Sequence, residues 1–330
     1  MVREGTIIWE DLKGMVNDPV YSEMLGKRIL LSGATGFVGY YLVESLVKAA
    51  KEHKKEIKIF AIVRNRQKGI EKYKEFYQEG YIDFIEQDIC APIKCDEPVD
   101  YVIHMASNAA PKEYLAMPAE TMLINFLGTK NMLEYARKVQ IQKFLFVSTI
   151  EVYGSGHGEE AIKEADYGTI DALNVRSCYP MSKKASETLA ISYQEEYGIP
   201  VVVGRLSYLY GPGMGANDSK VVAQFTRDAV AGKDIVLKSK GAQRRTYCYI
   251  SDAVRGMLHV LVHGETGNAY NITNGMCITT ISEMAQCIAE LEKDSGIQVR
   301  YEIPSESEKK RFSLIDDAVM DTEKIESIGF

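Results

Sequence analysis

Strand-like and helix-like stretches alternate along the first two-thirds of this sequence. That alternation predicts an α/β fold: a doubly wound parallel sheet with helices on both faces, followed by a smaller C-terminal lobe. Three observations carry the prediction. Short apolar runs recur at Arg28–Ser32, Ile57–Val63, Ile82–Glu86, Tyr101–His104, Phe144–Ser148 and Val201–Arg205. Helix-like stretches separate them, from a glycine turn through Ala50, over 113–139 and over 180–197. The 330 residues suffice for about two units of ~150 residues, or for one large core with an appended lobe.

Residues 1–26 read as a lead-in, with Ile7, Ile8, Trp9, Leu12 and Met15 near helical spacing and so able to pack on the main body. Arg28–Ser32 has the unbroken apolar character of a buried strand, and the turn Gly33-Ala34-Thr35-Gly36-Phe37-Val38-Gly39 leads into a helix. The charged run Lys51–Glu56 is the solvated end of that helix. Tyr73, Phe76, Tyr77 and Tyr81 supply rings for packing on a neighbouring helix. Pro180 disfavours helical geometry at Tyr179, so a helix is predicted to start there. Beyond residue 206 the pattern loosens into glycine- and lysine-rich loops and short strands. The predicted division is a lead-in over 1–26, a sheet domain over 27–206 with 246–280, and a lobe over 207–245 with 281–330.

Apolar residues make up 46% of the chain and charged residues 26%, which excludes a long disordered chain, a collagen-like fibre and a disulfide-stapled miniprotein. A net charge of -7 argues against nucleic acid or an anionic membrane as partner. Small anionic ligands remain open, because a few cations or a helix N-terminus suffice for them. No stretch reaches the ~18 apolar residues of a membrane helix. Arg3, Glu4 and Glu10 interrupt any signal-peptide core, and the cytoplasm is the expected compartment. Cys90, Cys95, Cys178, Cys248, Cys277 and Cys287 lack metal-binding or redox spacing and read as buried reduced thiols, with no metal site expected. His53, His157, His259 and His263 have no spaced partners and read as packing residues.

Three motifs carry chemistry. The glycine turn, placed between strand and helix, lets backbone N–H groups approach a pyrophosphate at a helix N-terminus; its spacing is GxxGxxG. Tyr179 and Lys183, four apart, share one face of a helical turn. A free phenol titrates near about 10, and a cation within ~4–6 Å is expected to bring Tyr179 toward the working range of a base. The run Phe146–Gly154 sits at the carboxyl end of a predicted strand, where open parallel sheets bind ligands. There Thr149 can hydrogen-bond a reacting oxygen, while Glu151 can be a base, a water-positioner or a strand-end charge. Arg64, following the second strand, suits a ribose 2′-phosphate, or is simply solvated; the cofactor is therefore NAD or NADP.

Together these motifs resemble the extended short-chain dehydrogenase/reductase family, with its nucleotide-sugar epimerases, dehydratases and decarboxylases on a Rossmann-type sheet. The resemblance includes Asp88-Ile89, His104-Met105-Ala106-Ser107, Asn125, Tyr210-Gly211-Pro212, the run Gln243–Asp252 and Asn268–Asn271. It implies a tightly bound NAD or NADP held by Gly33, Thr35, Gly36, Phe37, Val38, Gly39, Arg64, Asp88, Ile89, His104, Ala106, Ser107, Asn125, Tyr179 and Lys183. It implies catalysis by Thr149, Glu151, Tyr179 and Lys183, and substrate contacts from Ser107, Thr149, Glu151, Tyr208 and Arg245, the last on a diphosphate. Arg176-Ser177-Cys178-Tyr179 with Thr149-Ile150-Glu151 is most similar to UDP-glucuronate decarboxylases. Three departures stand out. Ile150 replaces the aspartic acid of dehydratases and the serine of decarboxylases, Tyr208 an asparagine, and Gly213 an arginine.

The implied activity is modification of a nucleotide-diphosphate sugar through transient C4 oxidation with no net redox change, decarboxylation leading. The alternatives are 4-epimerisation, 4,6-dehydration, NADPH-dependent reduction, or a nucleotide sensor without turnover. A homodimer through the helices near 113–139 and 180–197 is also implied. Members of the family continue through one more short helix beyond a point matching Ile328-Gly329-Phe330.

Overall fold

The computed structural model describes residues 2–216, 218–302 and 317–330. The lead-in forms α1 (Ile7–Met15) and α2 (Val20–Met24). The first half of the main body runs β1 (Arg28–Ser32), α3 (Phe37–His53), β2 (Lys58–Val63), α4 (Arg66–Lys72), α5 (Lys74–Gln78) and β3 (Ile82–Glu86). The second half runs β4 (Tyr101–His104), α6 (Pro111–Ala116), α7 (Pro118–Val139), β5 (Lys143–Thr149), α8 (Cys178–Tyr197) and β6 (Val201–Leu206). The chain then passes through β7 (Tyr208–Tyr210), α9 (Val221–Val230), β8 (Ile235–Leu237) and β9 (Arg244–Tyr249). It continues through α10 (Ile250–His263), β10 (Ala269–Ile272), β11 (Ile278–Thr280), α11 (Ile281–Leu291), β12 (Val299–Tyr301) and α12 (Glu323–Glu326).

Seven strands form one parallel sheet in the order β10-β6-β5-β4-β1-β2-β3. This is the doubly wound α/β sheet expected from the sequence. Strand order reverses direction between β1 and β4, so the loops leaving these neighbours part and open a crevice at their carboxyl ends. Both faces are covered. On one, α3 and α10 pack with the lead-in around Leu31, Leu46, Val47 and Met257; on the other, α7 and α8 cover Leu30, Phe144 and Phe146.

Several details differ from the sequence reading. The stretch 113–139 is two helices broken at Met117, because Pro118 lacks an N–H and restricts the residue before it. Helix α8 starts at Cys178, so Tyr179 is already helical. Pro180 fits because first-turn N–H groups have no intrahelical acceptor. Cys287 is exposed and Cys90 and Cys277 half-buried, so only Cys95, Cys178 and Cys248 are buried thiols. Strand β9 pairs with β7 and β11 and not with the main sheet, while α12 buries Ile325 in the core beside β10 and α10. The seam between sheet and lobe therefore runs inside the segments 246–280 and 281–330.

The lobe has its own small core of Val222, Phe225, Ile235, Leu237, Tyr247 and Met284, under the β7-β9-β11 sheet and the β8-β12 pair. The lead-in is pinned by half-buried carboxylates. The Asp11 carboxylate accepts from the Tyr41 and Tyr249 hydroxyls at 2.9 Å each, and Asp18 pairs with Arg255 at 2.9 Å and His259 at 3.1 Å. Among the described residues no helix is long and apolar enough to cross a membrane.

Candidate active site

A cleft of about 1220 Å³ lies between the carboxyl edge of the sheet and the lobe. Its sheet wall begins at the glycine turn. Gly33 has φ +81°, a left-handed conformation that favours glycine, and a Cβ there would meet the Ala106 nitrogen at 3.1 Å. At Gly39 a Cβ would meet the Gly33 carbonyl oxygen at 2.3 Å and Ala34 Cα at 2.7 Å, so only glycine lets α3 close on its own turn. The turn is braced from behind by the Tyr73 hydroxyl on the Ala34 carbonyl at 2.6 Å and by Lys72 on the Thr35 carbonyl at 2.7 Å. No side chain caps α3 at Gly36. Its first N–H groups and the positive end of its dipole face the cleft beside Phe37 and Val38.

Beside this wall Ser32 Oγ takes the N–H groups of Met105 and Ala106 at 3.1 and 3.2 Å and contacts His104 Nδ1 at 2.7 Å. Burial and the Lys183 charge bring His104 down to about 3, so its imidazole is neutral. The Ser107 and Ser148 hydroxyls, lining the cleft, are buried without a hydrogen-bond partner. An uncapped helix N-terminus, a cradle that a Cβ would fill, and orphaned hydroxyls beside it fit a dinucleotide pyrophosphate and its neighbouring ribose.

The sheet wall ends at β5 and α8. Burial, and after it the nearby Glu151 charge, raise the pKa of the Tyr179 phenol, against a smaller lowering by the neighbouring Thr149 hydroxyl. The expected lowering of Tyr179 by Lys183 is therefore not what this arrangement does. The Lys183 ammonium donates to the Val147 carbonyl at 2.9 Å and lies 4.9 Å from the Phe146 ring centre. Burial brings it down to about 8, with Glu187, one turn further along α8, opposing that shift. Glu187 is itself held by Arg205 at 2.7 Å in a buried pair.

Glu151 sits on the short 3-10 turn after β5, 3.7 Å from Arg176. Burial raises its carboxyl pKa, while Arg176, Lys220 and Arg245 pull the other way. On the lobe side Arg245 is buried on β9 with its guanidinium 5.5 Å from the Tyr208 ring centre. Lys220, Lys238, Lys240 and Gln243 line the same wall, the Gln243 carbonyl oxygen being buried and unpartnered.

Of the residues singled out in the sequence, Gly33, Gly36, Phe37, Val38, Gly39, Ser107, Thr149, Glu151, Tyr179, Lys183, Tyr208 and Arg245 line this one cleft. Others lie behind its walls or outside it. Asn125 donates to Ser182 Oγ at 2.8 Å and so ties α7 to α8. Ile89 packs in the core under Gly128, and Asp88 is exposed, capping the Cys90 N–H at 2.8 Å. Arg64 is exposed at the end of β2, and Thr35 is exposed on the glycine turn. Sequence reading missed Lys112 and Lys220 as cleft-lining residues, because nothing local marks a side chain that becomes important only across the cleft, and it gave no role to Ser148 and Gln243 although both lie in runs it singled out.

A seven-stranded parallel sheet with a glycine turn at its switch point, and a Thr149–Tyr179–Lys183 group on the adjoining strand and helix, define a dinucleotide-type α/β protein with a cleft along the carboxyl edge of its sheet. Residues 29–273 match the model of the NAD dependent epimerase/dehydratase family, and the chain belongs to that family. It is 33% identical over 267 residues to UDP-glucuronic acid decarboxylase 3 of Arabidopsis thaliana, covering 80% of this chain and 74% of the relative. It is 32% identical over 294 residues to UDP-glucuronic acid decarboxylase 1 of Danio rerio, covering 88% and 67%. Among solved structures it resembles a UDP-glucose 4-epimerase from Thermotoga maritima, with TM-score 0.76, 22% identity and 92% and 93% of the two chains covered. A dTDP-glucose 4,6-dehydratase from Streptomyces venezuelae gives TM-score 0.76 at 23% identity, covering 91% and 90%. These two likenesses speak for the fold.

Proposed function

We propose that this chain modifies a nucleotide-diphosphate sugar through transient oxidation at C4, with decarboxylation of UDP-glucuronate as the leading outcome. The observation that carries the proposal is the convergence of Thr149, Tyr179, Lys183 and Glu151 on one cleft, beside the open N-terminus of α3. The identity to UDP-glucuronic acid decarboxylases of two organisms supports the choice of sugar. A nicotinamide dinucleotide, NAD or NADP, supplies the hydride acceptor when bound. The glycine turn, α3 and Ser107 hold its phosphates and ribose, with the lobe and Arg245 on the sugar diphosphate.

Acting as its phenolate, with its own proton released to solvent beforehand, Tyr179 takes the proton of the C4 hydroxyl and returns it when the C4 ketone is reduced again; Thr149 orients that hydroxyl, and Lys183 holds the ribose. Once C4 is a ketone, the bond from C5 to its carboxylate breaks. Carbon dioxide leaves, and the electron pair is taken up toward the C4 oxygen. Glu151, its carboxyl raised by burial, is placed to return a proton to C5. The alternative is 4-epimerisation, favoured by Ile150, which offers neither proton nor charge, and by Gly213, which presents no cation. The exposed Met122, Leu123 and Phe126 on α7 and Ile191 on α8 support a homodimer through these helices.

The test is incubation with UDP-glucuronate, read by mass spectrometry. The expected product has lost the mass of carbon dioxide. Tyr179→Phe should be slower by roughly 10²–10⁴-fold with the dinucleotide still bound, and Glu151→Gln far slower than the parent. A product of unchanged mass and inverted C4 would replace decarboxylation with epimerisation. Near-normal turnover in Tyr179→Phe would remove that residue from its role.

A further inference from the structure

Tyr114, on the six-residue helix α6, lies flat against Tyr179, with ring centres 5.3 Å apart and planes within 4°. It is fully buried and is not among the residues lining the cleft. Tyr114, Cys178 and Tyr179 form a small apolar cluster of their own, apart from the two large cores of the sheet. The Cys178 thiol reaches the Tyr114 carbonyl at 3.6 Å, fastening α6 to the first turn of α8. At its far end the Tyr114 hydroxyl accepts from Arg176, whose guanidinium also lies 5.6 Å from the Tyr114 ring centre and 3.7 Å from Glu151.

A tyrosine whose hydroxyl must meet both Thr149 and a sugar has one loose freedom, rotation of its ring about χ1 and χ2. A flat neighbour clamped at both ends removes it. We propose that Tyr114 is a positioning residue for the reaction, holding the Tyr179 ring in the plane that aims its hydroxyl at Thr149 and the sugar. Arg176 anchors the clamp, and thereby ties Tyr179 to the same guanidinium that faces Glu151. This inference rests on Tyr179 being the acid/base. A misplacement of about 1 Å in such a site costs on the order of 10²-fold in rate.

The experiment compares Tyr114→Leu, Tyr114→Met and Tyr114→Phe with the parent, alongside Tyr179→Phe, in steady-state turnover of UDP-glucuronate. Leucine and methionine fill the space but offer no flat face, so kcat should fall by about 10–100-fold with KM changed less than about threefold. Phenylalanine keeps the stack and loses only the Arg176 anchor, so it should recover kcat to within about fivefold of the parent. Having two ring-less variants keeps the test alive should one fail to fold, as read by thermal melting. A rise in KM at constant kcat would overturn the inference by making Tyr114 a binding residue. So would a Phe variant as slow as the ring-less ones, or ring-less variants as fast as the parent while Tyr179→Phe is slow. If Tyr179→Phe itself turns over normally, the failure lies in the role of Tyr179 and not in the clamp alone.

Discussion

At the glycine turn, where the sheet side of the cleft begins, the groups that face a ligand are backbone, whereas on the lobe side they are the ends of long polar side chains. The glycine turn works by what is missing. Gly39 and Gly33 leave no Cβ, so the N-terminus of α3 stands open and close. Arg245 on β9, Lys238, Lys240 and Gln243 on the loop between β8 and β9, and Lys220 just before α9 work by reach. A backbone cradle recognises a phosphate wherever one occurs, and a side-chain wall can be rewritten one residue at a time. The difference predicts that cofactor affinity and substrate choice are separable in this molecule.

The sharpest way to break that separation is a pair of variants, one in each wall. Gly39→Ala pushes a methyl group against the Gly33 carbonyl at 2.3 Å, where both partners are backbone and cannot give way cheaply. Dinucleotide affinity should fall by about 100-fold, in line with misfits of about 1–3 kcal/mol in packed sites. Arg245→Met removes a buried charge-assisted donor while keeping most of the stem. The KM for the sugar nucleotide should rise by about 10- to 100-fold, as lost bonds to charged groups do. Titration of the dinucleotide by fluorescence should leave Arg245→Met close to the parent. Were both variants to lose both ligands, the two walls would be one cooperative unit.

The same contrast governs what could be read from the sequence. The sheet side is local: strand, turn and helix follow one another over 28–53, and Tyr179 and Lys183 are spaced to share a helix face, so periodicity and spacing exposed them. The lobe side is assembled from three-residue strands β7, β8, β11 and β12, too short to show a period, whose partners lie tens of residues away. The clamp of Tyr114 on Tyr179 was equally hidden, since the two rings are 65 positions apart in number and meet only when α6 docks on α8. Asn125 lies in a local motif, and its donor group bonds Ser182 inside the helix pair while its side-chain oxygen is buried without a partner.

A second test asks how dry the sheet wall is. His104, buried beside Ser32, is held neutral, down to about 3, by burial and by the Lys183 charge. In the unfolded chain an imidazole binds a proton near about 6.5. The unfolded state therefore takes up more protons than the folded one between these values, and folding stability is lost as pH falls below about 6.5. The loss should approach about 1.4 kcal/mol per pH unit. Urea unfolding at pH 7, 6 and 5 should show this slope, and His104→Gln should remove most of it. An unchanged slope in the variant would place the proton uptake elsewhere and mean that this wall admits water to His104.

The smallest expected effect lies at the outer edge of the sheet wall, where backbone gives way to a single side chain. Arg64 is exposed at the end of β2, the position from which a side chain meets the adenine-side ribose in a switch-point crevice. A guanidinium there attracts a 2′-phosphate through solvent, and an aspartate in its place would repel that phosphate and accept from a 2′-hydroxyl. Because the site is open to water and screened over ~8 Å at physiological salt, the change is that of a surface charge. Arg64→Asp should shift the NADP-to-NAD affinity ratio by about two- to fivefold toward NAD, and the shift should shrink as salt is raised. A shift of a hundredfold, insensitive to salt, would show that Arg64 closes on the ribose and forms a desolvated contact. The outer sheet wall would then discriminate by side chain as the lobe does, and the division between the two walls would lie further inside the cleft than the Gly33–Gly39 turn.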